Sequence, residues 1–567
     1  MALMREPPAA AGRGIEVVAR RLRKVVGVGR CVLDDVSLSI APQELIGIVG
    51  GSGAGKTTLL ETLAGVAAPD AGTVDFDGVD LYANRDVFRR HLGYVPQDDV
   101  IHGQLPLGRM LRYAAALRLP RSTSPQAADM AVRAALEALD LADRADVRVD
   151  ALSGGQRKRA SIAVELLTRP PVFFLDEPTS GLDPATGAEL LRVLRRLADA
   201  GSTVLLTTHA PQDLVHCDRV VFLARGGHLA FSGSVEDACR HFRVERVEEI
   251  YERLTEDTPQ GWAHRSPEDR RAWVEPPASA PAVGGQIEPG PTFAREWAVL
   301  SRRTAETLVR NRLTLAILIG SPAMVVAMIA VLFRPGAFEP ATVKPSAVAM
   351  ILFWIAFGAF FFGLTYGLLQ IVTERAILRR EHLAGQRLGA YLLSKVAVLL
   401  PFLVLVVVLM LGVLRLLDRL PVAGATTYLW VGVSLLLGAT AALLLGLWTS
   451  AAVRNPSQAT LALPMLCFPA VLFSGAILPV AQMAAAGAAI SVVTPDRWVF
   501  EALGHEFAIR RLLLDGGSSL GPPLVRSYGD AGSAASMTYW LYLVAFCAVF
   551  FVGARLTLDR AVRRADR

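Results

Sequence analysis

The chain contains 567 residues, of which 52% are apolar and only 19% charged, and its mean hydropathy is +0.40. Soluble domains carry about 25% charged residues, so this composition excludes a purely soluble protein. The formal net charge of +6 comes from basic residues that flank apolar segments, which indicates membrane orientation and argues against nucleic-acid binding. The five cysteines include no CxxC pair, so neither a disulfide framework nor a zinc site is indicated.

Charged and apolar residues are distributed unevenly along the chain. Most acidic residues precede position 280, whereas long uncharged runs begin after Asn311. This split predicts a soluble half followed by a membrane half. The region near Met1 has no apolar run of the signal-peptide type, so we expect the soluble half to remain in the cytoplasm.

A glycine-rich stretch follows a strand-like run in the first half. Glu44 to Val49 has the pattern of a buried strand and Leu59 to Ala64 that of a helix. The loop between them matches GxxxxGK[ST] and comprises Gly50, Gly51, Ser52, Gly53, Ala54, Gly55, Lys56, Thr57 and Thr58. Its backbone N–H groups can surround phosphates, Lys56 is predicted to reach the β- and γ-phosphates, and Thr57 to offer its hydroxyl to Mg²⁺. The full match favours this interpretation over a chance glycine turn.

Two further strand-like runs end in residues suited to phosphate chemistry. Pro171 to Leu175 precedes Asp176 and Glu177, which predicts Asp176 as a Mg²⁺ ligand and Glu177 as the general base for the attacking water. Ser202 to Leu206 leads through two threonines to His209, whose imidazole could hydrogen-bond the γ-phosphate. Alone, His209 would be an ordinary loop histidine; the two other phosphate-site strands favour the functional interpretation.

Three short segments between and after these strands carry a family resemblance. Gln97 lies in YVPQDD, residues 152–156 read LSGGQ, and Asp183 ends SGLD. Together they resemble the Q-loop, signature and D-loop of the ATP-binding cassette (ABC) family. The flanking sequence, including FFLDEPTSGLD and GGHLAFSG, resembles the G subfamily of ABC transporters (the white-type half-transporters) and its bacterial relatives. The resemblance is strongest over Ile15 to Val244.

The resemblance implies an α/β P-loop cassette followed by an all-α membrane domain of six helices, with ATP and Mg²⁺ as cofactors. It implies that Gln97 joins Thr57 and Asp176 around Mg²⁺ and that Asp183 couples two sites across a dimer. Residues of the signature would contact ATP on the phosphate loop of a second subunit; these are Ser153, Gly154, Gly155 and Gln156. A homodimer would then carry two hydrolysis-competent sites.

One feature departs from most cassettes, which stack an aromatic ring on adenine from a position near Val25 or Val26. No Phe, Trp, Tyr or His precedes Phe76. Adenine must therefore be held in another way, and both an arginine and aliphatic contact are open alternatives.

The domain boundaries predicted from these patterns are a cassette over residues 1–257, a Pro- and Ala-rich linker over 258–290, an amphipathic connecting helix over 291–312 and a membrane domain over 313–567. Runs of about 20 apolar residues predict six spans. They are Leu313 to Phe333, Val348 to Ile371, Leu393 to Leu416, Tyr428 to Val453, Thr460 to Val480 and Thr538 to Leu558.

The basic residues predict that the cassette and both termini lie inside a plasma (inner) membrane. The charged segment Glu374 to Tyr391 then faces the cytoplasm. By resemblance it helps pass movement from the cassette to the membrane domain; a plain stop-transfer cluster is the equal alternative. Five phenylalanines could line an apolar path, although packing or lipid contact is the more common role for such rings; they are Phe360, Phe361, Phe362, Phe468 and Phe473.

These features lead us to expect an ATP-driven half-transporter that works as a dimer in a lipid bilayer. The spans hold almost no ionisable groups, and the resemblance implies export, so the expected cargo is a hydrophobic or amphipathic compound or a lipid. The alternative is a mechanotransducer that uses ATP to move an extracytoplasmic partner without transport. A third possibility, import, would need a solute-binding protein that this chain does not encode.

Overall fold

In the computed structural model, which describes residues 14–27, 29–89, 92–256 and 290–565, the chain divides into two units. The first, the cassette unit, comprises the described residues among 1–299, 379–386 and 564–567. The second, the helical unit, comprises residues 300–378 and 387–563. The expected linker, except for residue 290, lies outside the described residues.

The described part of the cassette unit contains two sheets. The first has the order β2-β1-β4-β5 and is antiparallel, with β1 Val17–Val26, β2 Arg30–Ile40, β4 Ala71–Phe76 and β5 Val79–Asp80. The second has the order β10-β9-β3-β8-β7-β6 and is parallel except for the β9–β10 pair. Its strands are β3 Leu45–Gly50, β6 Leu92–Val95, β7 Val172–Leu175, β8 Thr203–Thr208, β9 Arg219–Ala224 and β10 His228–Gly233.

Strands β3, β7 and β8 are buried along their whole length, as parallel strands covered on both faces require. Because the carboxyl ends of parallel strands meet at one edge, the three polar segments that follow them are brought together there. The helices of this unit are α1 Lys56–Leu63, α2 Arg85–Phe88, α3 Leu107–Arg118, α4 Pro125–Ala138, α5 Gly154–Leu166, α6 Pro184–Asp199, α7 Val235–Phe242 and α8 Glu249–Glu256.

The remaining elements are helices. They are α9 Phe293–Arg310, α10 Arg312–Leu332, α11 Pro345–Leu368, α12 Arg375–Leu383, α13 Leu388–Leu416, α14 Ala425–Ala452, α15 Pro456–Leu472, α16 Ala485–Val492, α17 Pro495–Glu506, α18 Ile509–Asp515, α19 Gly521–Tyr528 and α20 Ser536–Ala565. Among the described residues, five helical segments are long and apolar enough to cross a membrane. They correspond to five of the six predicted spans.

The fifth predicted span, Thr460 to Val480, differs from the structure. Helix α15 has 17 residues and ends at Leu472, so it is shorter than the other five. Pro464 and Pro469 each remove a backbone hydrogen-bond donor inside it, and Gly475 adopts a left-handed conformation (φ +80°) just beyond its end. The apolar run therefore continues into a turn instead of a longer helix.

The five candidate phenylalanines of the path have different surroundings. Phe360 and Phe362 are buried within the helical unit, where Phe360 packs with Leu364, Ala442 and Ala470. Phe468, by contrast, is 67% exposed on α15. Packing within the helical unit therefore explains why phenylalanine occurs at positions 360 and 362.

Candidate nucleotide-binding site

The phosphate loop joins β3 to the first turn of α1. Gly55 adopts φ +95°, and a β-carbon there would lie 2.5 Å from the carbonyl oxygen of Val32, so only glycine fits this position. The ammonium of Lys56 folds back over the loop and donates to the carbonyl oxygens of Gly50 (2.9 Å) and Gly51 (3.4 Å). The loop is thus a concave backbone surface with one cation above it, which suits an anion.

Asp176 lies at the end of β7, 3% exposed, facing the first turn of α1. Its Oδ1 accepts hydrogen bonds from the hydroxyls of Thr57 (3.1 Å) and Thr207 (2.6 Å). Burial raises the pKa of this carboxyl, and the two hydroxyls partly oppose that rise. The oxygens of Thr57 and Asp176 are hard ligands of the kind Mg²⁺ takes together with phosphate oxygens, so these residues fit that ion.

Glu177 adjoins Asp176 and has left-handed backbone geometry (φ +42°), which is uncommon for a residue with a side chain. Its N–H donates to the hydroxyl of Thr207 at 2.8 Å, which holds this conformation. Two predicted site residues meet its Oε2: Gln97 Nε2 donates at 3.2 Å, and His209 Nδ1 lies 3.4 Å away. The structure therefore brings Gln97, Glu177 and His209 together.

The signature segment forms the start of α5. Ser153 Oγ accepts from the N–H of Gln156, and Gln156 Oε1 accepts from the N–H of Ser153, which makes a reciprocal N-terminal cap. A β-carbon at Gly155 would lie 2.6 Å from a methyl of Thr186, whereas Gly154 faces open space. Among the described hydrogen bonds, none joins residues 153–156 to the phosphate loop.

Asp183 begins helix α6. Its carboxylate accepts from the N–H of Thr186 at 3.0 Å, and hydrogen bonds from the Thr186 side chain and then its N–H lower the pKa of this exposed group. Within one chain, the side chain of Asp183 therefore caps the N-terminus of α6.

Three residues that the sequence analysis did not single out support these groups. Thr207 bonds both Asp176 and Glu177, as described above. Lys158, buried on α5, donates to the carbonyl oxygen of Gln97 and lies 3.7 Å from Asp99, so it ties the signature helix to the Q-loop. Asp213 accepts from Thr179 and Thr208, both at 2.6 Å. The paired threonines before His209 are the only sequence signal that could have indicated Thr207.

An arginine lies beside the phosphate loop. A β-carbon added at Gly53 would lie 3.4 Å from Nη2 of Arg30, the first residue of β2. Among the described residues, none accepts a hydrogen bond from this exposed guanidinium. Arg30 therefore places a guanidinium next to the loop that would hold the phosphates.

Two family models match the chain. Residues 33–180 match the model described as ABC transporter, and residues 295–505 match the model described as ABC-2 type transporter. The first match contains the phosphate loop, Gln97, the signature, Asp176 and Glu177, whereas His209 and Asp183 lie beyond it.

Curated relatives show the same organisation. A Mycobacterium tuberculosis protein described as an ABC transporter ATP-binding/permease protein is 35% identical over 480 residues, which are 83% of this chain and 55% of that protein. ABC transporter G family member 26 of Arabidopsis thaliana is 35% identical over 223 residues, 38% of this chain and 32% of that protein. The chain thus spans about half of the first relative and a third of the second. A solved ATP-binding subunit of an ABC transporter is 27% identical and covers 42% of this chain and 99% of its own, with a TM-score of 0.38.

Proposed function

Because the chain belongs to the ABC transporters, with a nucleotide-binding cassette followed by an ABC-2 type membrane domain, we propose that it is an ATP-hydrolysing half-transporter that acts as a dimer. The observation that carries the proposal is the cluster at the ends of β3, β7 and β8. There, Asp176 accepts hydrogen bonds from Thr57 and Thr207, and Glu177 lies beside Gln97 and His209.

In this proposal the cassette binds ATP with Mg²⁺. The ion would be held by Thr57, Asp176 and Gln97, and it neutralises charge on the phosphates when bound. The phosphate loop and Lys56 orient the nucleotide. Glu177 accepts a proton from the attacking water, and His209 contacts the γ-phosphate.

The position of the signature supports the proposed dimer. Residues 153–156 begin α5, and within the described chain they form no hydrogen bond with the phosphate loop. They are therefore available to nucleotide bound by a second copy, with Asp183 coupling the two sites. A homodimer is the simplest arrangement because this chain carries every residue of both half-sites.

For the cargo, we propose a hydrophobic or amphipathic compound or a lipid, moved outward across the bilayer. The membrane-spanning candidates have mean hydropathies of 2.0 to 3.2 and few charges, which suits an apolar path. The cassette and both termini would lie in the cytoplasm. The segment Glu374 to Tyr391 would pass movement from the cassette to the membrane domain, as the family resemblance implies.

Replacing Glu177 by Gln tests the hydrolytic function. The amide cannot take a proton, so we expect phosphate release to fall by at least about 100-fold while ATP remains bound. Release should be measured on the purified full-length protein in proteoliposomes, together with retained nucleotide. Glu137→Gln, an exposed change on α4, is the matched control. Unchanged turnover in Glu177→Gln would remove Glu177 as the base.

The same proteoliposomes separate transport from the alternative role as a mechanotransducer. Hydrolysis that rises when hydrophobic or lipid cargo is added supports export. Hydrolysis that responds only to an extracytoplasmic partner protein supports the mechanotransducer.

A further inference from the structure

The helical unit contains a cavity of about 590 Å³ at one end of its long helices. Three segments form it: the connection between α10 and α11, the connection between α13 and α14, and the turn around α18. Small-molecule sites in proteins have volumes of about 300 to 1,000 Å³, so this cavity can hold a drug-sized ligand.

The floor of the cavity is apolar and aromatic. Phe338, Leu420 and Phe507 line it and are each less than a tenth exposed. The ring of Phe507 is itself fixed by an edge-on contact with Tyr428, with centroids 5.6 Å apart. A bound molecule would therefore place an apolar body against preformed aromatic surface.

The lining carries more acidic than basic groups. Glu339, Asp418 and Asp515 contribute carboxylates, and Arg511 contributes the one guanidinium, 3.5 Å from Asp515. Arg415 lies 3.9 Å from Asp418 outside the lining. Arg419 donates to the carbonyl oxygens of Leu417 and Ala330, so its charge is directed at the backbone. Asp418 and Asp515 are each more than half exposed, so the lining has three carboxylates and one guanidinium at a solvent-facing rim, and this excess of negative charge favours a cation.

The walls are held in place by the backbone. Gly336 N–H donates to the carbonyl oxygen of Asp418 at 3.2 Å, and Gly517 N–H to that of Pro340 at 3.0 Å, so the three segments are tied to one another. Asp418 and Ala508 are the two non-glycine residues with positive φ in the described helical unit, and both line the cavity. The site is therefore formed before a ligand arrives.

We propose that this cavity binds an organic cation with an apolar body, such as a tetraarylphosphonium or a quaternary ammonium compound. The aromatic floor receives the body, and the three carboxylates attract the charge. In the topology of the proposed function, this end of the helices faces outward. Binding itself needs neither ATP nor transport, so its test is independent of hydrolysis.

The test uses tetraphenylphosphonium and tetraphenylborate, two ions of the same shape and opposite charge. Their binding to the purified full-length protein in neutral detergent should be measured by calorimetry without nucleotide, against a detergent blank. We expect the cation to bind and the anion to fail. Raising the salt concentration should weaken cation binding, because the carboxylates are at the rim. Equal binding of both ions would overturn the proposal.

Substitutions at the rim locate the site. Glu339→Gln and Asp418→Asn remove one charge each, and asparagine tolerates the left-handed backbone of Asp418. We expect the Kd of the cation to rise about two- to fivefold for each, and about four- to twenty-fivefold for the pair if the effects add. Val422→Arg, at a position 83% exposed, adds a repelling charge without disturbing the core. Asp530→Asn, an exposed acid outside the lining, is the control.

Melting curves of each variant confirm that it is folded. An unchanged Kd in the folded double variant would overturn the assignment, whatever the ATPase measurements show. A quaternary ammonium group occurs both in free organic cations and in the choline headgroup of lipids. Displacement of tetraphenylphosphonium by dihexanoylphosphatidylcholine supports the headgroup as the natural ligand, and the absence of displacement supports a free cation.

Discussion

Thr207 holds two neighbouring acids of the candidate site at once. Its hydroxyl donates to Asp176 Oδ1 at 2.6 Å and accepts from the N–H of Glu177 at 2.8 Å. The first bond stabilises a buried carboxylate whose pKa burial raises; the second fixes the left-handed conformation that directs Glu177. Thr207 is thus a positioning residue for both acids.

Thr207→Val should therefore weaken Mg²⁺-dependent hydrolysis by about tenfold, since a buried carboxylate loses a hydrogen bond. Removing the bond also raises the pKa of Asp176 further, because the bond favours the ionised form. The acid limb of the pH profile of hydrolysis should then move to higher pH. Rates measured across that limb, with Thr123→Val as a control outside the site, check both effects. If the acid limb of the pH profile of Thr207→Val lies at the same pH as in the wild type, the role given to Thr207 is wrong.

Arg30 is a second residue whose side chain we expect to affect nucleotide binding. Its guanidinium lies beside Gly53, and no aromatic residue precedes Phe76. Because a guanidinium beside this loop attracts phosphate, Arg30→Ala should raise the Kd of ATP about two- to fivefold, the size of an exposed ion pair. A fluorescent ATP analogue titrated into the full-length protein measures this, with Arg192→Ala on α6 as the exposed control. Equal affinity in both variants would contradict a contact between Arg30 and the nucleotide.

At the scale of elements, helix α5 connects the signature to a buried ion cluster. Glu165, near the end of α5, is 2.6 Å from Arg118 on α3 and 2.7 Å from Arg380 on α12. Arg380 also donates to the carbonyl oxygens of Val100 and Ser161. Burial alone would raise the pKa of Glu165, but the two guanidinium groups outweigh it and hold the pKa below the usual value.

Glu165→Gln leaves two buried guanidinium groups without their counter-charge, so we expect it to destabilise the cassette unit by about 3 to 5 kcal/mol. Glu189→Gln, which removes an exposed acid 3.7 Å from Arg159, should cost less than about 1 kcal/mol. Urea unfolding of the full-length protein, followed by a cassette-specific probe, measures the difference. Similar costs in both variants would show that the cluster is not a stabilising unit.

The lowered pKa of Glu165 also makes the stability of the fold depend on pH. A carboxyl whose pKa is lower in the folded state stabilises the fold above its unfolded pKa, and this contribution disappears as the pH falls through the folded value. The wild type should therefore lose stability below about pH 4.5. The Glu165→Gln variant should lose less stability over the same pH range, because glutamine has no carboxylate to protonate.

At the scale of the whole molecule, the proposed shared site can be tested by mixing subunits. Lys56→Ala disables a phosphate loop, and Ser153→Arg disables a signature. A mixed dimer places both defects in one site and leaves the other intact. Random mixing in equal amounts should then restore about a quarter of wild-type hydrolysis. Activity that stays at the level of the separate variants would argue against sites shared between two copies.

Much of the cassette was predictable from local sequence. The expected strands ending at Val49, Leu175 and Leu206 correspond to β3, β7 and β8, because buried parallel strands read as short apolar runs. Their common edge then follows from the geometry of parallel sheets. The helical unit was predictable to the level of apolar helices, but α15 ends at Leu472 within an apolar run that by composition alone extends to Val480.

The sequence by itself determined the order of the two parts, the phosphate loop and the acids at the strand ends, because these depend on composition and on spacing within a few residues. Tertiary structure alone decided that Thr207 serves both acids, that Lys158 holds the Q-loop and that Arg380 meets Glu165. It also decided that three separate connections line one open cavity with an aromatic floor and acidic groups at its rim. Such contacts join residues tens to hundreds of positions apart, and no local pattern encodes the packing that brings them within hydrogen-bond distance.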